Sequence, residues 1–130
     1  MQGHKNNEAI YAFDPQSGEI IWECDVGSMI LSSIAYHSGS LFAGTRDGVI
    51  CVDSEGTLRW ETPVGGHRGN ISLTNNLLFT GSDDGVHALN RNNGEEIWHF
   101  QTDEYIHAAP SIVNDVLVIG TDGGDIYALE

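Results

Sequence analysis

Three tryptophans, Trp22, Trp60 and Trp98, stand 38 residues apart. Each follows a glycine by four positions: Gly18, Gly56 and Gly94. Ahead of each glycine comes Asp14, Asp53 or Asn90, and ahead of those come Tyr11-Ala12-Phe13, Ile50-Cys51-Val52 and His87-Ala88-Leu89. A fourth copy, Tyr127-Ala128-Leu129-Glu130, closes the chain. Between the copies Leu41-Phe42-Ala43-Gly44, Leu78-Phe79-Thr80-Gly81 and Leu117-Val118-Ile119-Gly120 recur. Several residue types keeping one period mean that one supersecondary unit is used repeatedly. Such units bury their apolar faces against their neighbours.

Each unit reads as four short strands. In the second complete unit they are expected near Asn70–Leu73, Leu77–Gly81, Val86–Asn90 and Glu95–Phe100, with turn residues at the regular spacing of antiparallel β-structure. Ser38-Gly39, Asn75-Asn76 and Asn114-Asp115 fit two-residue hairpins, where positive φ favours Asn and Gly. Arg46-Asp47-Gly48 and Asp83-Asp84-Gly85 fit the next turn. At the third-to-fourth connection, Asp14 and Asn90 can bond the turn amides through their side chains. No helical period competes.

Four-stranded units of about 38–40 residues are propeller blades. Kelch repeats are longer and leucine-rich repeats shorter. A WD40 unit wants Asp after Trp, but Glu follows Trp22 and Trp60, and His follows Trp98. The expected fold is therefore all-β, with blades of four antiparallel strands. Residues 1–7 read as a polar lead-in and residues 8–130 as the repeats. The chain should open with a third and a fourth strand, run through two complete units, and end with a first, second and third strand. That is about three blades, whereas closed propellers have about four to eight. The blades are expected to belong to a larger propeller of about 6–8, or to associate between copies.

The segments Ala12-Phe13-Asp14-x3-Gly18-x3-Trp22 and Ala88-Leu89-Asn90-x3-Gly94-x3-Trp98 resemble the tryptophan-docking motif of pyrroloquinoline-quinone-type, or quinoprotein-like, propeller repeats. Cys51-Val52-Asp53-x2-Gly56-x3-Trp60 is the same motif shortened by one residue in the turn. The resemblance covers about Ile10 to Glu130. It implies that Trp22, Trp60, Trp98, Gly18, Gly56 and Gly94 serve blade docking. A flat indole buries a large area, and a glycine lets a second surface come close. The family includes quinone-dependent dehydrogenases, sensor domains tethered to kinases, and a non-enzymatic branch with an outer-membrane assembly lipoprotein.

The residues favour the last branch. Active quinoprotein dehydrogenases carry a disulfide between adjacent cysteines, whereas Cys24 and Cys51 are 27 residues apart. No Glu, Asn and Asp can be matched to that family's calcium ligands. No catalytic residue, cofactor or metal site is therefore assigned; quinone with calcium belongs only to the alternative of a dehydrogenase fragment. Cys51 shares a small-residue position with Ala12, Ala88 and Ala128, so packing explains it. Cys24 occupies a variable outer-strand position. The six histidines show no linear zinc spacing. Asp83-Asp84 and Asp122 with Asp125 read as exposed hairpin turns rather than a calcium loop.

Charge narrows the partners. The chain has 130 residues, with Asp+Glu 19 against Lys+Arg 5, a net of −14. Nucleic acid and anionic membrane surfaces would repel it. Such an acidic, lysine-poor surface also suits a high-salt milieu, where screening removes the self-repulsion. No apolar run approaches the ~20 residues of a membrane helix, and the first residues do not read as a signal peptide. The expected role is a non-catalytic scaffold or binding module for a protein, peptide or envelope component, in an extracytoplasmic setting by family resemblance.

Residues that break the repeat are free to serve function. At the start of the inner strand the copies read Ile30-Leu31, His67-Arg68 and Ile106-His107. His67, Arg68, Tyr105 and His107 are accordingly the candidate binding residues, at one mouth of the channel that inner strands line.

Overall fold

The computed structural model describes residues 9–31, 34–64, 71–102, 105–106 and 110–129. They form four antiparallel sheets. The first pairs β1 (Ala9–Phe13) with β2 (Ile20–Asp25). The second holds β3 (Ala35–His37), β4 (Ser40–Thr45), β5 (Gly48–Asp53) and β6 (Leu58–Thr62), in sequential order. The third repeats this with β7 (Ile71–Leu73), β8 (Leu77–Ser82), β9 (Gly85–Asn90) and β10 (Glu96–Gln101). The fourth holds β11 (Ser111–Val113), β12 (Val116–Gly120) and β13 (Ile126–Leu129). The two, four, four and three strands follow the order read from the repeat, and four-stranded antiparallel sheets define the blades.

The register explains the motif. In each third-to-fourth hairpin the small residue faces the tryptophan: Ala12 opposite Trp22, Cys51 opposite Trp60, Ala88 opposite Trp98. A bulge interrupts the pairing beside each such pair, and a bulge bends and twists a strand locally. The turn that joins the two strands is held by its first residue. The Asp14 and Asn90 carboxyl and amide oxygens each accept the backbone N–H two residues on at 2.8 Å. Asp53 accepts from Glu55 and Thr57, both at 2.9 Å.

One expected turn is different. Ser38-Gly39 and Asn114-Asp115 do adopt positive φ, but Asn75-Asn76 does not. There the Thr74 hydroxyl accepts the Leu77 N–H at 3.0 Å, and the Thr74 N–H donates to the Leu77 carbonyl at 2.9 Å. A side-chain acceptor replaces the left-handed backbone as the means of closing the hairpin.

The core lies between the sheets. Strand alternation sends successive side chains to opposite faces, so the middle strands of a blade serve two interfaces. Ala43, Ile50 and Val52 pack against Ile10, Cys24 and Val26 of the first sheet. Phe42, Val49 and Cys51 point the other way, to Leu78 and Leu89 of the third. Phe79, Val86 and Ala88 then meet Ile106, Leu117 and Ile119. β5 and β9 are accordingly buried along nearly their whole length. Cys24 and Cys51 are both buried free thiols, and burial pushes both thiols up from their ordinary pKa.

Polar links cross the same interfaces. Arg91, in the turn after β9, reaches back to His37 of the preceding blade and donates to the Asn75 carbonyl at 2.6 Å. The Ser72 hydroxyl donates to the Pro110 carbonyl, tying β7 to the start of the last sheet. Tyr105 and Ile106 bridge two blades through the backbone: Ile106 N–H donates to the Ser82 carbonyl at 3.0 Å, and the Tyr105 carbonyl accepts from Asp122 at 2.9 Å.

Candidate functional site

The repeated contact between blades is geometrically specific. The Trp22 indole N–H donates to the Ser54 carbonyl at 3.1 Å, and its ring lies over Gly56 of the next blade. A Cβ placed on Gly56 would sit 2.7 Å from Trp22 Cδ2, which no real pair of carbons tolerates. Trp60 repeats the arrangement on Gly94: its N–H donates to the Arg91 carbonyl at 3.2 Å, and a Cβ on Gly94 would lie 2.5 Å from Trp60 Cε3. Both glycines also have positive φ, +89° and +80°, so they supply the turn and the clearance together. Gly18 has the same backbone conformation, but among the described residues no atom lies within 4 Å of its would-be Cβ.

The three rings are not equally covered. Trp22 and Trp60 are half-buried, whereas Trp98 remains 37% exposed. Trp98 packs on Phe79 with ring centroids 5.9 Å apart, as Trp60 does on Phe42 at 6.0 Å. Its free side borders a cavity of about 390 Å³ lined by Thr74, Leu77, Phe79, Ile112, Leu117 and Leu129.

Of the four candidate mouth residues, Tyr105 is placed on the surface, 49% exposed, next to the fully buried Ile106. His67, Arg68 and His107 lie outside the described residues.

A second polar constellation sits on the third sheet. His87 on β9 and His99 on β10 are direct cross-strand partners, their rings stacked with centroids 4.0 Å apart and planes 7° apart. His87 is 4% exposed. Its Nδ1 lies 2.6 Å from Glu96 Oε2 and its Nε2 2.9 Å from Asp84 Oδ1. Burial works to raise the Asp84 pKa, but the Ser82 hydroxyl and the neighbouring His87 outweigh it, and the carboxyl is held below its ordinary value. The linear sequence conceals this group, because a separation of twelve residues between the histidines has no metal-motif spacing. The signal was in the register: if Ala88 faces Trp98, the flanking His87 must face His99.

The sheets, their Trp-on-Gly seams and their turn chemistry define an array of quinoprotein-like propeller blades. Residues 6–130 match the family model described as outer membrane protein assembly factor BamB, of PQQ-like repeats, and the chain belongs to that family. The chain is 30% identical over 112 residues to the outer membrane protein assembly factor BamB of Alteromonas naphthalenivorans, covering 85% of this chain and 22% of that protein. It is 25% identical over 122 residues to the tetrathionate hydrolase of Acidithiobacillus ferrooxidans, covering 92% of this chain and 22% of the enzyme. Among solved structures, BamB from Moraxella catarrhalis superposes with a TM-score of 0.81 at 20% identity, over 95% of this chain and 40% of that one. The chain thus spans less than a quarter of these curated relatives.

Proposed function

We propose that these blades form part of a propeller of about 6–8 blades that acts in the extracytoplasmic envelope as a binding platform in outer-membrane protein assembly. The supporting observation is the family match across residues 6–130, joined to blade seams built from Trp22 on Gly56 and Trp60 on Gly94. Seams of this kind stack blades and leave loop ends free for a partner. The partner is a protein or peptide, because the net charge of −14 repels nucleic acid and anionic lipid surfaces. The proposed contact is the mouth marked by Tyr105, together with His67, Arg68 and His107 on the strength of the sequence. Arg68 is one of five cationic residues in the chain and would anchor an acidic group.

The test uses the intact protein that carries these blades. Pyrroloquinoline quinone and calcium are added with a sugar or alcohol, and reduction of an artificial electron acceptor is followed. No turnover above the protein-free rate is expected. Saturable, quinone-dependent reduction would overturn the binding role in favour of a dehydrogenase.

A further inference from the structure

We propose that Asp84, His87 and His99 form a binding site for a divalent transition metal of the zinc type on the blade β7–β10. Among the described residues, these three side chains converge so that their ligand atoms all lie within 4.8 Å of one another. His87 Nε2 is 2.9 Å from Asp84 Oδ1, and His99 Nε2 is 3.8 Å from Asp84 Oδ2. Tetrahedral zinc with bonds of about 2.0–2.1 Å holds its ligand atoms about 3.3 Å apart. The contacts to the two Asp84 oxygens lie on either side of that value, and the set as a whole, spread over up to 4.8 Å, must draw together on the ion.

The repeat shows that the group is peculiar to one blade. Where β9 has His87, the equivalent positions hold Tyr11, Ile50 and Tyr127. Where β10 has His99, the other outer strands hold Glu23 and Glu61, and where it has Glu96 they hold Ile20 and Leu58. Three departures from the repeat therefore meet in space. Scaffold packing does not call for them, since Ile50, Glu61 and Leu58 build the same sheet in the preceding blade.

Glu96 completes the chemistry. Metal-ligating histidines almost always give their second ring N–H to a carboxylate, a backbone carbonyl or water, which fixes the tautomer and strengthens the ligating nitrogen. His87 Nδ1 faces Glu96 Oε2 at 2.6 Å, and that leaves Nε2 aimed at Asp84. Without an ion or a proton between them, a neutral Nε2 and a carboxylate oxygen at 2.9 Å would set two lone pairs against each other. Two imidazoles and one carboxylate select zinc, nickel or copper over calcium and magnesium, which want oxygen. His99 must turn out of its stack on His87 and release its contact with the Asp84 carbonyl, now 2.9 Å away. Its partly exposed position on the outer strand gives it the room. The ion would clip the β8–β9 turn to the outer strand and keep a fourth position open to solvent.

The test is a calorimetric titration of the EDTA-stripped chain with zinc chloride, in the presence of a hundredfold excess of calcium. One zinc per chain is expected, with an upward shift of the melting temperature. Cobalt in place of zinc should give the visible absorption of a low-coordinate nitrogen-ligated ion. His87→Ile installs the residue of the preceding blade and so protects the fold, and His99→Gln alters a partly exposed side chain. Each should weaken zinc binding at least tenfold and abolish the cobalt bands, and Glu96→Gln should weaken it about tenfold. Affinity unchanged in both folded histidine variants, or zinc displaced by calcium, would overturn the site and assign the binding to surface carboxylates.

Discussion

The Trp60 indole lies on Gly94, a residue 34 positions downstream in the next blade, and hydrogen-bonds the carbonyl of Arg91 in the same turn. One side chain therefore reads both the shape and the polarity of its neighbour's turn. Trp22 does the same to Gly56 and Ser54. A shortened turn around Gly56 is accommodated without losing either contact.

Gly94→Ala and Gly18→Ala separate docking from turn conformation. Both glycines have φ near +80°, and an alanine there costs about 1–2 kcal/mol from the backbone alone. At Gly94 the new Cβ also meets the Trp60 ring, adding an overpacking cost of about 1–3 kcal/mol. Urea unfolding should show Gly94→Ala clearly less stable than Gly18→Ala. Equal losses would mean that the ring moves aside freely.

Trp60→Ala should cost about 3 kcal/mol, near the lower end for a buried aromatic because the ring is only half-buried. Trp98→Ala should cost about 1 kcal/mol, since that ring is more than a third exposed. Comparing denaturation midpoints of the two variants checks the order.

Asp53 carries an acid-sensitive turn. Its carboxylate accepts the Thr57 N–H and the Glu55 N–H, which outweigh the cost of burial and hold its pKa below the ordinary value. A depressed folded pKa gives stability that is present above the unfolded value of about 4. It is lost as pH falls through the folded value. Asn can keep the turn, as Asn90 does in the next blade, but cannot titrate. Melting temperatures between pH 2.5 and 7 should show the gap between wild type and Asp53→Asn narrowing as acid is added. A gap independent of pH would remove Asp53 from the acid response.

The isolated chain should associate. Among the described residues, Phe13, Val113 and Ile126 are exposed on the end sheets, no ring lies over Gly18, and Trp98 stands beside an open cavity. Uncovered apolar faces and strand edges favour self-association, and screening of the acidic charge assists it. Sedimentation at low micromolar concentration should show oligomers that grow in molar salt. A compact monomer in both conditions, with no ANS-binding surface, would contradict the open array.

The strand order was legible because it recurs: Trp, Gly, Asx and the small residue keep one period and mark each third-to-fourth hairpin. Single events were not. Thr74 replaced a backbone turn with a hydroxyl, and nothing in Asn75-Asn76 itself signals that. The exposure of Trp98 depends on what covers it, not on its own motif. His87 and His99 become neighbours only through the register across a bulge, so their linear spacing concealed them. The mouth residues stand out because they break the repeat, and of these Tyr105 alone has a described position.

Photo-crosslinking from that mouth tests the binding role most directly. A benzoylphenylalanine at Tyr105 of the intact protein, irradiated in the native envelope, should form an adduct with a specific outer-membrane assembly component. Arg68→Ala with His107→Ala should diminish that adduct while leaving the melting temperature unchanged. The same probe at Ile97, 52% exposed on the outer strand, should give none. Adducts from Ile97 and none from Tyr105, or a yield at Tyr105 untouched by the double substitution, would contradict a partner held at the channel mouth.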